Sequence, residues 1–307
     1  MRIVYLGTPE FAVLPLKAII DRTNHQVVAV VTNPDKPVGR KQIMTPPPVK
    51  VLANEYGIPV YQYNKIKLEG VLDLKNLNAD LFITCAFGQI LSQEILDLPK
   101  YGVINIHASL LPKYRGASPI HFAILNDEKH TGITIMKTDI GIDTGDILLQ
   151  DSINIGEEET CGELFDRLSL LGADSIVKAL SILDSGNAKF VKQGNDNVTY
   201  SRIIKKEMAK IDWNKDAQSI YNQVRAFNPA PVCFTTLNGE TFKIYKCKVV
   251  DATGGVGEII SVDNEIIVGC KDKAISLLVV QKAGGKQMNV IDFLRGNKLS
   301  IGDKFGL

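Results

Sequence analysis

The first 190 or so residues of the chain alternate between short apolar runs and longer amphipathic stretches. Apolar runs at residues 2–6, 27–31 and 80–85 are typical of strands buried on both faces of a sheet. The stretches between them have the length and apolar spacing of helices that cover such a sheet. This pattern predicts an α/β fold whose N-terminal domain is built on a Rossmann-like, mostly parallel sheet covered on both sides.

Two local features refine this N-terminal prediction. Gly7 is expected to turn the first strand, after which Thr8 caps a helix and Pro9 takes its first position. Residues 33–48 contain five prolines and are predicted to form a loop. Further strands are expected at residues 103–107, 132–137 and 147–155, and helices at residues 49–56, 67–77, 91–96, 117–126 and 160–183.

The pattern changes after about residue 190. One helix is predicted at residues 216–227, and five short β-rich runs follow it between residues 232 and 280. Turn sequences such as Asn238-Gly239 separate these runs. Five short strands after a helix predict a small C-terminal OB-like β-barrel domain. We therefore divide the chain into a catalytic domain (1–190), a linker (191–207) and the barrel (208–307).

Composition and charge add little to this division. Hydrophobic residues make up 45% and charged residues 22% of the 307 residues, as in ordinary globular proteins. No apolar run approaches the roughly 20 residues that span a bilayer, and the start is too briefly apolar for a signal peptide. Five scattered cysteines predict reduced thiols in a cytoplasmic protein. The C-terminal third carries a net charge of +4, which suits weak contact with a polyanion but also fits ordinary solubility.

The most informative stretch for chemistry is residues 104–121. Asn105 and His107 lie two positions apart on a predicted strand, so their side chains project from the same face. About forty residues later, Asp143 lies in a polar, glycine-containing segment. An amide, an imidazole and a carboxylate together suit acyl transfer without a covalent intermediate. No residue has the context of a nucleophile, since the Gly-x-Ser-x-Gly elbow is absent.

Plainer interpretations compete with each of these features. A lone strand histidine is more often a buried imidazole with a hydrogen-bond partner than a catalyst. The aspartates at 139, 143 and 146 sit in a loop that invites a calcium interpretation, but Gly141 occupies the third position and no bidentate glutamate follows at the twelfth. The Gly-x-Gly-x-x-Gly fingerprint of dinucleotide-binding folds is absent after the first strand. No metal site is predicted.

Three segments carry a family likeness: residues 105–120 (NIHASLLPKYRGASPI), residues 131–136 (TGITIM) and residues 139–146 (DIGIDTGD). Five shorter segments narrow it: residues 6–12 (LGTPEFA), 34–40 (PDKPVGR), 48–50 (PVK), 211–213 (IDW) and 225–229 (RAFNP). Taken together and in this order, they resemble the methionyl-tRNA formyltransferase family over nearly the whole chain. The first and third segments also belong to the wider group of enzymes that use 10-formyltetrahydrofolate.

The resemblance implies a reaction and a set of site residues. The reaction is transfer of a formyl group from the co-substrate 10-formyltetrahydrofolate to the methionine α-amino group of initiator methionyl-tRNA, for translation initiation. The implied catalytic residues are Asn105, His107 and Asp143. The implied folate-binding residues are Ser109, Leu110, Leu111 and Pro112. The implied tRNA-binding residues are Arg40 and Lys41, with the C-terminal barrel as a further tRNA-binding domain. The enzyme is expected to be a cytoplasmic monomer without a metal.

Three other functions stay open at this level. A formyltransferase acting on glycinamide ribonucleotide or an amino sugar would share the catalytic segments, although the C-terminal barrel and the Arg40 loop argue against it. A formyl-tetrahydrofolate hydrolase would release formate without an acceptor. An RNA-binding OB protein with an inactive α/β domain would bind without turnover.

Overall fold

The computed structural model of the chain describes residues 1–39 and 41–306, which form two compact units. The first unit comprises residues 1–119, 130–154 and 165–202. The second unit comprises the residues from Ile203 onward together with residues 120–129 and 155–164. Two short segments from earlier in the chain therefore fold with the C-terminal third.

The first unit contains the larger sheet. The strands of the first unit are β1 (Arg2–Gly7), β2 (Gln26–Thr32), β3 (Lys36–Val38), β4 (Ile43–Thr45), β5 (Val60–Gln62), β6 (Leu81–Cys85), β7 (Val103–His107), β8 (Arg115–Gly116), β9 (His130–Lys137), β10 (Ile147–Asn154) and β11 (Tyr200–Ser201). The helices up to residue 184 are α1 (Val13–Arg22), α2 (Pro48–Glu55), α3 (Ile66–Glu69), α4 (Val71–Asn76), α5 (Gln93–Leu96), α6 (Pro119–Leu125) and α7 (Cys161–Asp184).

The seven-stranded sheet has the order β10-β9-β7-β6-β1-β2-β5. Strands β5, β2, β1, β6 and β7 are parallel, whereas β9 runs antiparallel to β7 and β10 antiparallel to β9. The predicted mostly parallel sheet is thus confirmed. The strand order reverses between β1 and β6, which is where ligands bind in open α/β sheets.

Alternation along the strands gives the sheet two buried faces. On one face, Val4, Phe82 and Val103 belong to a core cluster with Leu74 and Ile95 from the covering helices. On the other face, α7 crosses the sheet at Gly172, where an added Cβ would lie 3.4 Å from Ile106. No helix in the residues that the structure describes is long and apolar enough to cross a membrane.

Three local predictions need correction. Residues 33–48 are not a loop throughout, because β3 and β4 pair as an antiparallel hairpin. The helix predicted at residues 67–77 is two short helices that meet at Gly70, where a Cβ would lie 2.9 Å from Ile66. Thr8 does not cap a helix, because its hydroxyl donates to the carbonyl of Phe87 at 3.2 Å. The first and third differences come from strand pairing and from a contact with a distant residue, which local preference does not contain.

The second unit contains a curled antiparallel sheet with the strand order β12-β13-β16-β15-β14. Its elements are α8 (Ala217–Ala226), β12 (Cys233–Leu237), β13 (Glu240–Val250), β14 (Ile259–Ser261), β15 (Ile266–Gly269), β16 (Ala274–Lys282), β17 (Met288–Asn289) and α9 (Val290–Gly296). The five predicted strands and the helix before them are confirmed, as is the OB-like curvature of the sheet. The sequence analysis missed α9.

The two edges of this sheet are joined by residues 303–306. Phe305 forms an antiparallel bridge with Leu237 on β12, and Lys304 forms one with Glu258 next to β14. The Phe305 ring lies 5.8 Å from the ring of Trp213 and 5.2 Å from that of Phe242, measured between centroids. The same residue therefore closes the sheet through its backbone and fills the core through its side chain.

We predict that Phe305→Ala destabilises the second unit by about 3–5 kcal/mol, because it removes a buried aromatic ring from a packed core. Trp213 is the single tryptophan of the chain and packs on this ring, so its fluorescence during chemical denaturation reports on this unit. The matched control is Ile301→Ala, whose side chain is 68% exposed. Equal denaturation midpoints for the two variants would contradict the assigned role of Phe305.

Candidate active site

The candidate site begins with two side chains of β7. Asn105 and His107 project from the same face, as their spacing predicts. The Asn105 carbonyl oxygen accepts a hydrogen bond from the Thr84 hydroxyl at 2.9 Å. This bond from the neighbouring strand β6 fixes the amide orientation and turns the NH₂ group, Nδ2, away from β6.

His107 is held by the loop that follows β7. Its Nε2 atom lies 3.0 Å from the carbonyl oxygen of Tyr114. A carbonyl oxygen only accepts hydrogen bonds, so Nε2 carries a hydrogen. The other ring nitrogen, Nδ1, lies 3.6 Å from Oδ2 of Asp143. The imidazole is 6% exposed and the Asp143 side chain 18% exposed, so the carboxylate is the more accessible partner.

Asp143 lies where the two loops meet. Its Oδ2 atom accepts a hydrogen bond from the backbone N–H of Gly116 at 2.8 Å, and its Oδ1 atom lies 3.4 Å from Nδ2 of Asn105. The structure therefore brings the three predicted catalytic side chains together, from a strand and a loop thirty-eight residues apart in sequence. A carboxylate that accepts hydrogen bonds from fixed donors is held in one orientation.

The other two aspartates of the same loop have different surroundings. The Asp139 carboxylate accepts hydrogen bonds from the Thr144 hydroxyl at 2.7 Å and the Gly141 N–H at 3.0 Å. The backbone carbonyl of Asp146 accepts from the N–H of Lys137 at 2.9 Å. These contacts close the loop on itself and leave Asp143 as the aspartate that reaches His107.

The loops around the site contain strained backbone. Ala86, Tyr114 and Asp143 all have positive φ angles, of 46°, 59° and 52°. Residues other than glycine avoid this region, at a cost of about 1–3 kcal/mol each, and such residues gather at functional sites. Two of these three residues, Tyr114 and Asp143, contact His107 directly.

The predicted folate segment follows β7. Ser109 and Leu111 are buried, whereas Leu110 and Pro112 are partly exposed. The Ser109 carbonyl accepts from the Thr134 hydroxyl at 2.6 Å, and the Leu111 carbonyl accepts from Gln150 Nε2 at 2.9 Å. The backbone of the segment is thus fixed to β9 and β10, with two apolar side chains left at the surface.

Of the two predicted tRNA-binding residues, the structure places Lys41 in the β3–β4 hairpin. Lys41 is exposed at its turn, and Arg40 lies outside the described residues. The base of the hairpin is closed by Lys50, whose Nζ atom lies 2.8 Å from Asp35 and 2.8 Å from Gln62. Hydrogen bonds from Lys50 and Gln62 hold the pKa of the Asp35 carboxyl below its ordinary value.

The sequence analysis missed three residues of this site. Thr84 orients Asn105, Tyr114 accepts from His107, and Gly116 donates to Asp143. Tyr114 and Gly116 lie in the segment 105–120 but make their contacts through the backbone, which residue type does not reveal. Thr84 has no local pattern that would have identified it.

The cysteines do not supply a nucleophile. All five are free and buried. Burial raises the pKa of the Cys85 thiol to about 12, and that of Cys161 likewise to about 12. Thiols of this kind stay protonated at neutral pH and are inert.

Comparison with known proteins connects this geometry to a family. Residues 1–180 match the formyl transferase family, and residues 203–298 match the formyl transferase C-terminal domain. A methionyl-tRNA formyltransferase from Geobacter metallireducens is 46% identical over 308 aligned positions, which cover 100% of this chain and 99% of that protein. The chain belongs to the methionyl-tRNA formyltransferase family. Another member, from Bacillus velezensis, is 44% identical and covers 99% of this chain and 98% of its own.

Two solved structures share the fold of this chain. The sugar 3N-formyl transferase WlaRD, crystallised in the presence of dTDP and 5-N-formyl-THF, superposes with a TM-score of 0.69 at 24% identity. The alignment covers 93% of this chain and 99% of WlaRD. HypX from Aquifex aeolicus, in complex with tetrahydrofolic acid, gives a TM-score of 0.63 at 16% identity, and the alignment covers 98% of this chain and 50% of HypX.

We predict that Gly116→Ala lowers both stability and turnover. Gly116 has φ +108°, and an added Cβ would lie 2.4 Å from the backbone oxygen of Ser201. The backbone must shift, at a cost of about 1–3 kcal/mol in unfolding free energy, and the N–H moves away from Asp143. Urea denaturation followed by circular dichroism measures the first effect, and formyl-transfer kinetics the second.

The matched control for this variant is Gly194→Ala. An added Cβ there would lie 4.0 Å from its nearest neighbour. This control should unfold like the unmodified protein. Full stability and turnover in Gly116→Ala would refute the assignment of Gly116 as a fixed donor to Asp143.

Proposed function

We propose that this enzyme transfers the formyl group of 10-formyltetrahydrofolate to the α-amino group of methionine on initiator methionyl-tRNA, for translation initiation. The observation that carries the proposal is the convergence of Asn105, His107 and Asp143 in a chain related over its full length to methionyl-tRNA formyltransferases. The bound donor supplies an activated formyl carbon. The enzyme's residues have to hold the amine, stabilise negative charge and accept a proton.

Asn105 is assigned as the donor to the oxygen on which negative charge develops. Its Nδ2 group faces the site because Thr84 holds the other end of the amide. A donor fixed before the reaction need not reorganise as the charge appears. His107 lies on the same strand face, where its imidazole contributes positive charge or a hydrogen bond to the same region.

Asp143 is assigned as the acceptor of the amine proton, directly or through a water molecule. Its Oδ2 atom already accepts from Gly116 and faces His107. Its Oδ1 atom has only the longer 3.4 Å contact with Asn105 and is the oxygen we assign to the proton. Because Nε2 of His107 donates to Tyr114, Nδ1 is the ring nitrogen that can exchange a proton with Asp143.

The donor is assigned to the segment after β7. The segment consists of Ser109, Leu110, Leu111 and Pro112. Its partly exposed members, Leu110 and Pro112, offer the apolar surface that a flat aromatic ligand needs, while the buried members keep the backbone in place. WlaRD and HypX, which share the fold, were crystallised with folate compounds, which supports a folate donor.

The acceptor tRNA is assigned to two regions. Arg40 and Lys41 contact its acceptor end, and the barrel domain, residues 208–307, contacts its backbone. The net charge of +4 on the C-terminal third supports contact with a polyanion.

We propose that the domains divide the work, so that residues 1–190 carry the chemistry and residues 191–207 connect the two domains. Because aminoacylated initiator tRNA is the acceptor, we place the enzyme in the cytoplasm. We propose that it works as a monomer.

We predict that labelled formyl passes from 10-formyltetrahydrofolate to initiator methionyl-tRNA much faster than to elongator methionyl-tRNA. The assay follows label in acid-precipitable tRNA. Glycinamide ribonucleotide and an amino sugar test the related formyltransferases, and a reaction without acceptor tests formate release. Faster transfer to a small amine, or release of formate alone, would replace the proposed function with one of these.

We predict that Asn105→Ala lowers kcat by on the order of 10²–10³, because one oxyanion donor is lost. Folate binding and the unfolding midpoint should stay close to those of the unmodified enzyme. Steady-state kinetics with initiator methionyl-tRNA gives kcat, and the exposed Asn187→Ala serves as control. Near-normal turnover in Asn105→Ala would remove the amide from the mechanism.

A further inference from the structure

The segment 191–201, which the sequence analysis assigned to the linker, is packed against the candidate site. Val191 exchanges two backbone hydrogen bonds of 2.8 Å with Ile147, directly after the loop that carries Asp143. At its other end, Tyr200 and Ser201 form β11 and pair with Arg115 and Gly116. We call residues 191–201 the strap. One end of the strap therefore pairs next to the loop that carries Asp143, and the other end pairs with the loop that follows His107.

Gln193 is the strap residue that reaches the Asp143 loop. Its Nε2 group donates to the backbone carbonyls of Asp143 and Gly145, both at 2.8 Å. Its Oε1 atom accepts from two nitrogens of the buried Arg115 side chain, at 2.8 Å and 3.1 Å. One neutral side chain thus uses both ends of its amide to join the loop that carries Asp143 to the loop that carries Gly116.

The carbonyl contacts matter because of the backbone they hold. Asp143 has φ +52°, a conformation that disfavours any residue with a Cβ. Relaxation of that φ angle would turn the carboxylate away from Nδ1 of His107 and the N–H of Gly116. The two hydrogen bonds to the carbonyl groups of Asp143 and Gly145 oppose this relaxation without using the carboxylate itself.

We propose that Gln193 is a positioning residue for the formyl-transfer reaction, which holds Asp143 in its left-handed backbone conformation so that its carboxylate meets His107. This inference rests on the proposed function of Asp143 and deepens it. Gln193 acts through backbone carbonyls and touches no reacting group. Its removal should therefore lower kcat while leaving the binding of either substrate nearly unchanged.

The deciding variant is Gln193→Glu. It has the same size and keeps an oxygen for Arg115, so no buried cation loses its acceptor, but it cannot donate to the two carbonyls. We expect kcat to fall by between about ten- and about a hundredfold, since a misplacement of about 1 Å costs on this scale. KM for initiator methionyl-tRNA and Kd for 10-formyltetrahydrofolate should change by less than about twofold. Gln193→Leu, which also removes the acceptor, is the second variant, and Lys192→Ala on the exposed side of the strap is the control.

Two readouts separate positioning from a merely structural role. First, in an Asp143→Asn background, Gln193→Glu should cause no further loss of the residual turnover, because residues that act as a unit are not additive. Second, hydrogen–deuterium exchange of the peptide covering residues 138–147 should rise in Gln193→Glu and stay unchanged in Lys192→Ala. Turnover within twofold of the unmodified enzyme, a full additional loss in the Asp143→Asn background, or unchanged exchange would each overturn the proposal.

The same experiment distinguishes failure of this inference from failure of the proposed function. If the unmodified enzyme does not formylate initiator methionyl-tRNA, the proposed function fails. The exchange measurement needs no substrate, so it still decides whether Gln193 holds the loop. If the unmodified enzyme is active and Gln193→Glu is equally active, the positioning role fails and the proposed function stands.

Discussion

The candidate site depends on holding one partly buried carboxylate in place beside one imidazole. Asp143 meets His107 at 3.6 Å, and the N–H of Gly116 approaches the same oxygen at 2.8 Å. A partly buried carboxylate needs such donors, because the removal of water otherwise penalises its charge. Much of the surrounding loop structure supplies or supports these two contacts.

The site combines a rigid half and a strained half. The amide and the imidazole sit on β7 in the interior of the sheet, where backbone pairing with β6 and β9 on both sides fixes them. The carboxylate comes from a loop in which Asp143 itself has a positive φ angle. A strand positions side chains through regular geometry, whereas a strained loop needs specific contacts to stay in place. Gln193 and the strap provide contacts of that kind.

The second unit meets a different requirement, which is to join the edge strands of its curled sheet. Residues 303–306 bridge β12 and the start of β14, and Phe305 packs between Trp213 and Phe242. Closure reduces the unpaired backbone at the sheet edges. The barrel was predictable from the number and spacing of its strands, but its closure was not. An isolated β-bridge involves too few residues to leave an alternating pattern of apolar and polar residues in the sequence.

The sequence by itself determined the α/β class, the strand order along the chain and the shared face of Asn105 and His107. Each follows from short-range periodicity, which the polypeptide geometry imposes directly. Tertiary structure alone decided that Asp143 reaches these residues and that Thr84 orients the amide. It also decided that residues 191–201 pack against the site and do not form an unattached linker. Some of these contacts join side chains that only the fold brings together, such as Thr84 and Asn105. Others use backbone carbonyls and N–H groups far apart in the chain, as where Gly116 donates to Asp143 and Gln193 donates to the Asp143 carbonyl. Every residue but proline carries both groups, so residue identity says nothing about which of them meet.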